Sequence, residues 1–257
     1  PTVLCQPPNE WPAKAGPPCR HQKVGAIYFH DDFLVPTNEP NLLGAWQIQS
    51  GDWGLHSVKE DAAGQKTTKI GDLAPADVEF SANFYCLSGT GTVGLITAGH
   101  PFYDQYRLES AIRVVPGEMG LVFYFQDMTN YFAFTIRLEK DLSAPTRLTL
   151  WRVSSGQGGV RRQLAAATTR LTPGQWVLPR VAISANRIRC WLDDVPVLDV
   201  ACELPPGGSF GFLVDSTESV RFDDVLVKSE DDLNLRDPAV IKFFTLLENG
   251  SFFPGNQ

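Results

Sequence analysis

The segment EMGLVFYFQDMTNYFAFTIRL, Glu118 to Leu138, restricts the fold more than any other stretch, because two apolar runs of strand length flank a short polar turn. Strand side chains alternate between two faces, so Leu121, Phe123 and Phe125 share one face of the first run, and Phe132, Phe134, Ile136 and Leu138 one face of the second. This pattern predicts a β-hairpin whose aromatic face belongs to a core, with Phe123, Phe125, Phe132, Phe134 and Ile136 buried. The same alternation puts Val122, Tyr124, Gln126, Tyr131, Thr135 and Arg137 on the opposite face. That face is amphipathic and either meets a ligand or lies beneath a loop.

Short alternating runs recur along the chain. Tyr106, Leu108, Ile112 and Val114 face one way, and Arg107, Glu109 and Arg113 the other, as in a half-buried antiparallel strand. Trp46, Ile48, Trp53 and Leu55 alternate about Ser50-Gly51-Asp52, which predicts a hairpin turn, and Val78 to Ile96 predicts two short strands about Ser88-Gly89-Thr90-Gly91. VAISANRIRCWLDDVPVLDV predicts two hairpins turning at Ala185-Asn186 and Asp193-Asp194, and GSFGFLVDS and SVRFDDVLVKS predict two strands split at Thr217-Glu218. With 22 Gly and 19 Pro and no helical period before the tail, the expected architecture is all-β, a two-sheet antiparallel jelly-roll sandwich of about 12 to 14 strands. At 257 residues and 43% hydrophobic, one main domain accounts for the chain. The expected division is a Pro-rich arm over 1–28, the sandwich over 29–228, and a tail with a short apolar helix over 229–257.

A formal net charge of -7 gives no electrostatic footprint for a phosphate backbone, which excludes nucleic acid as an expected partner. No run of 18 apolar residues is present, so the sequence holds no transmembrane segment of helical type. The opening PTVLCQPPNEWP fits a processed N-terminus and equally a chain cut from a longer one; the expected location is extracytoplasmic: periplasmic, cell-surface or secreted. Cys5, Cys19, Cys86, Cys190 and Cys202 form no CxxC pair, which argues against structural zinc. Cys5 and Cys19 bracket the Pro-rich arm and either form a disulfide or remain thiols.

The order of DDF (31–33), GAWQIQSGDW (44–53), YRLESAIRV (106–114), GLVFYFQDMTNYFAFTIRL (120–138), LTLWRV (148–153), PGQW (173–176), RIRCWLDDVPVLDV (187–200), GSFGFLVDS (208–216) and VRFDDVLV (220–227) resembles the concanavalin-A-like lectin/glucanase superfamily, particularly bacterial LamG-like domains. It is also distantly similar to the 3-keto-disaccharide hydrolases, through strand pattern alone. The resemblance implies the jelly roll and does not choose between lectin, hydrolase and structural module. The Glu-x-Asp-x-Glu arrangement by which glucanases of this superfamily place two carboxyls across a glycosidic bond is missing, and Glu139-Lys140-Asp141-Leu142-Ser143 has Ser143 where the acid would stand. No catalytic residue is therefore expected.

For a glycan face, Tyr124, Tyr131 and Trp151 would supply aromatic platforms, and Gln126, Arg137, Arg107 and Arg113 planar polar groups for hydroxyls. Related domains often hold a structural Ca²⁺ near their first and last strands, and Asp31, Asp32, Asp223 and Asp224 offer the hard oxygen ligands it takes. His21, His30, His56 and His100 show no ligand spacing. In the tail, Asp237-Pro238 starts and Asn249-Gly250 stops a helix whose apolar residues surround most of its circumference; Ile241, Phe244 and Leu247 would dock it on the sandwich or on a partner. The expected function is non-catalytic glycan recognition by an exported bacterial protein. The alternatives are a structural subunit docking through its terminal extensions onto a larger, membrane-associated assembly, and a glycoside hydrolase resembling the 3-keto-disaccharide hydrolases.

Overall fold

A computed structural model describes residues 27–34, 43–57, 85–141, 143–154, 160–184 and 186–229. The expected N-terminal arm, apart from its last two residues, and the C-terminal helix with Ile241, Phe244 and Leu247 lie outside these residues, as do Cys5 and Cys19. The described residues form thirteen strands and no helix, joined by antiparallel ladders.

The larger sheet contains β2 (Gln47–Ser57), β3 (Tyr85–Ala98), β5 (Gly117–Asp127), β6 (Asn130–Leu138), β7 (Thr146–Ser154) and β8 (Val160–Thr169). Its order runs β2-β3-β13-β5-β6-β7-β8, through the first half of β13 (Ser209–Ser229). The second half of β13 belongs to the smaller sheet, where it pairs with β4 (Tyr106–Arg113) and β1 (Ile27–Asp31). Beyond β4 come β10 (Pro179–Ser184), β11 (Arg187–Leu192) and β12 (Val195–Ala201), with β9 (Trp176–Val177) also on β4. The main core lies between the sheets and includes Leu108 and Ile112 from β4, Phe134 and Ile136 from β6, and Phe212 and Phe222 from the two halves of β13. The fold is thus an all-β antiparallel sandwich, and the strict alternation read from β4 is present in full.

Three predicted turns are bends within continuous strands. β2, expected to reverse at Ser50-Gly51-Asp52, continues through a register shift there. β3 continues through Ser88–Gly91, and the two strands expected on either side of Thr217-Glu218 form the single strand β13, which shifts register between Val214 and Val220. These irregularities lie side by side, with Ser216 opposite Gly91 and Asp52 opposite Thr90. A bulge and a tight turn favour the same residue types, because both need positive φ or close backbone approach. Gly51 (φ 83°) meets both needs: a Cβ there would stand 2.6 Å from the Gly94 Cα. Where a true two-residue turn occurs, the expectation holds. Leu192 pairs with Val195 across Asp193-Asp194, whose φ values of 48° and 64° are those of a type I′ hairpin, and Ser184 pairs with Arg187 across 185–186.

Candidate functional site

The ladder between β5 and β6 is regular from Gly117 to Phe123 and then shifts before Asp127. Tyr124, at φ 48°, absorbs the shift and reverses the phase of the side chains after it. Tyr124 therefore lies in the main core rather than on the outer face, 1% exposed, while Phe125 moves from the expected core to the outer face. The Tyr124 ring stacks on Tyr106 at 5.6 Å, and its hydroxyl donates to Asp104 Oδ1 and accepts from the Gln105 amide at 3.1 Å. Burial pushes its phenol well above the ordinary value, so it stays protonated. This removes Tyr124 from any ligand platform.

The outer face of the larger sheet carries a second apolar cluster, in which Phe125 packs with Leu95, Val122, Tyr131, Ala133, Val153 and Leu213, and Trp151 lies against its edge. Its middle is closed to solvent, since Leu95, Val122 and Ala133 are all 0% exposed. Polar side chains gather at its two ends.

At one end a groove of about 390 Å³ lies between β2 and the β5–β6 turn, a volume within the usual range for small-ligand sites. Its polar lining includes Gln47 and Gln49 from β2, Thr97 from β3, and Gln126 and Asp127 from β5; its apolar lining includes Phe125 and Met128. Gln49 Nε2 donates to Thr97 Oγ1 at 3.0 Å. The Asp127 carboxylate accepts from the Thr129 amide and hydroxyl and from Asn130 Nδ2, each at 2.7 Å. The Thr129 side-chain bond, followed by that from Asn130, holds its pKa below the ordinary carboxylate value. Of the residues named from sequence, Gln126 belongs to this groove. Gln47 and Gln49 were not singled out, although they alternate with the core residue Trp46 and so had a countable outward phase.

At the other end Trp151 and Arg137 meet Glu118 and Arg161, which sequence reasoning left aside, and Thr135, which the alternation put on this face; Tyr131 belongs to the apolar cluster between, packed on Phe125. Arg161 Nη1 is 3.2 Å and Arg137 Nη1 3.7 Å from Glu118 Oε2. The Arg161 guanidinium lies 5.2 Å from the centre of the Trp151 ring, and Trp151 Nε1 donates to Thr135 Oγ1 at 2.9 Å. Glu118 is 4% exposed, and neither its Oε1 nor Arg161 Nη2 has a hydrogen-bond partner among the described residues. Glu118 stands directly opposite Arg137 across the β5–β6 ladder, so hairpin register was the signal that could have found the pair. Because Arg161 covers the Trp151 ring and pairs with Glu118, this end is a closed ionic cluster with two polar atoms left over rather than an open platform.

Arg107 and Arg113 stand on β4 in the smaller sheet, away from both ends; Arg113 Nε donates to the Gly174 carbonyl at 3.3 Å. The four acids predicted to hold Ca²⁺ do come near one another. Asp223 and Asp224 occupy a bulge of β13, and burial, followed by the charges of Asp224, Asp32 and Asp31, pushes Asp223 up to about 6. Asp31, however, spends its oxygens on Trp46 Nε1 and the Phe33 amide, both at 2.8 Å, and Asp223 Oδ1 accepts from the Asp224 amide at 2.9 Å. Among the described residues no three His, Cys, Asp or Glu side chains are grouped to hold a metal ion. Cys86, Cys190 and Cys202 are thiols rather than disulfides.

No family model matches the chain, and no curated protein matches it. Solved structures match its fold. A carbohydrate-binding module from Bacillus subtilis is 16% identical, covering 72% of this chain and 96% of its own, with a TM-score of 0.52. A Bacillus subtilis protein of unknown function with a galectin-like fold is 12% identical, covering 80% of this chain and 96% of its own, also with a TM-score of 0.52. At that level of identity the likeness establishes architecture alone: the chain folds as a galectin-like, jelly-roll β-sandwich.

Proposed function

We propose that the protein recognises a carbohydrate without transforming it, and that the sugar lies in the groove between β2 and the β5–β6 turn. The observation that carries this is the pairing of three exposed amides, Gln47, Gln49 and Gln126, with an apolar wall formed by Phe125 and Met128. A sugar ring presents hydroxyls that both donate and accept, and an amide side chain does both from one planar group. Its C–H face needs an apolar surface, which the exposed Met128 side chain offers beside the edge of Phe125. The carbohydrate-binding module of the same fold supports this reading at the level of architecture only. An extracytoplasmic location belongs to the same reading, since extended polysaccharide is met there.

Glycan-array screening of the intact protein, followed by titration of the hits, tests the proposal. Gln49→Ala and Gln126→Ala are expected to weaken binding about three- to tenfold each, one lost neutral hydrogen bond being worth roughly 0.5 to 1.5 kcal/mol. Absence of any glycan ligand refutes the proposal. Binding that survives both Gln replacements but is lost in Trp151→Ala also refutes it, and moves recognition to the ionic cluster.

A further inference from the structure

We infer that the ligand of the groove is an uncharged saccharide and that Asp127 is the residue that turns uronic and sulfated sugars away. The inference rests on the glycan reading of the groove and adds the chemical class to it. Among the described residues that line the groove there is no Lys, Arg or His, and Asp127 is their one charged side chain. Its hydrogen bonds are to neutral donors, the amide and hydroxyl of Thr129 and the side-chain amide of Asn130. These bonds stabilise the carboxylate form and leave its charge uncompensated, and the same bonds hold the pKa below the ordinary value. Asp127 is ionised wherever the protein is folded near neutral pH.

A carboxylate or sulfate brought into this groove would meet a fixed like charge with no cation beside it among the described lining residues. The protein as a whole adds to the repulsion, with a formal net charge of -7. Because Asp127 is exposed, water screens the interaction. Two like charges about 4 to 5 Å apart in a water-like dielectric repel by an amount equivalent to about fivefold in affinity, and the effect grows with partial desolvation. Neutral hydroxyls incur no such penalty and find amide partners in Gln47, Gln49 and Gln126.

The test measures the ratio of dissociation constants for matched sugars that differ only in charge: glucose and glucuronic acid oligosaccharides, the galactose and galacturonic acid pair, and free galacturonan against its methyl ester. The wild-type protein is expected to favour the neutral member of whichever pair it binds. Asp127→Asn should lower that preference about fivefold or more. Salt provides a second arm that requires no variant, because at about 1 M ionic strength the screening length falls to roughly 3 Å and the wild-type preference should shrink. A wild-type protein that prefers the acidic member, or a ratio unmoved by both Asp127→Asn and salt while neutral sugars still bind, overturns the assignment of Asp127 and leaves the glycan site standing. Failure to bind either member of every pair, together with a glycan array that yields no ligand, overturns both.

Discussion

Tyr124→Phe isolates the consequence of the bulge in β5. The substitution keeps the ring that stacks on Tyr106 and removes only a hydroxyl, so it opens no cavity. The hydroxyl donates to Asp104 and accepts from the Gln105 amide, and both partners come from the loop before β4. Each stranded polar group costs about 1 to 3 kcal/mol where water cannot replace the lost partner. Asp104 is partly reached by solvent and recovers some of its share, so the expected loss is about 2 to 3 kcal/mol. For a domain of this size that is a fall in melting temperature of roughly 4 to 12 °C. Urea unfolding should show a lower midpoint with an unchanged slope, because the surface exposed on unfolding stays the same. A tyrosine on the outer face would lose no more than about 0.5 kcal/mol on the same change. Stability within that margin of the parent would refute the placement of Tyr124 in the core.

Phe134, fully buried between the sheets, should cost about 3 to 5 kcal/mol when replaced by alanine, and an equally stable Phe134→Ala protein would contradict the core assignment. Asp223 gives a pH dependence of defined sign. Its folded pKa, about 6 against an ordinary 3.8, means that the folded state holds the proton more tightly, so the contribution of Asp223 to stability is fully present below about 4 and is lost as pH rises through 6. Allowing for partial solvent screening, Asp223→Asn should stabilise the protein by about 1 to 2 kcal/mol at pH 7.5 and not at pH 3.5; a difference independent of pH would refute this. Calcium acting on the same carboxylates remains a proposal. About 1 mM Ca²⁺ should raise the melting temperature at pH 7.5 and chelator should reverse it, while an unchanged melt withdraws the ion.

What was legible in the sequence follows from how local each determinant is. The alternation of β4, the turn at Asp193-Asp194 and the antiparallel hairpin from Glu118 to Leu138 are set by residues next to one another, and each appears in the structure. The phase of Tyr124 and Phe125 depends on one residue at positive φ, a conformation that a tyrosine does not advertise. The bends of β2, β3 and β13 depend on whether a neighbouring strand continues to pair beyond a glycine or serine. That is a property of distant segments, and a local window reads it as a turn. The groove lay between these cases. Gln126 was legible as a polar residue at the hairpin end, exposed there although the bulge at Tyr124 reverses the phase counted for it, whereas its nearness to Gln47 and Gln49 required the sheet order that brings β2 and β5 to either side of β3 and β13.

The placement of β13 fixes the order in which the sandwich becomes complete during synthesis. It is the last of the described strands to leave the ribosome, yet it is an interior strand of both sheets, with Gly211 between Thr97 and Val122 and its far end pairing Lys228 with Ile27. Until it emerges, β1, β3, β4 and β5 each present an open edge that only β13 can close. Contacts spanning nearly the whole domain carry a high loop-closure cost and form slowly. The nascent chain therefore waits with several unpaired strand edges and the Phe-rich hairpin of β5 and β6 uncovered, the state in which a β-protein is most prone to associate with its own copies and has most need of a holdase.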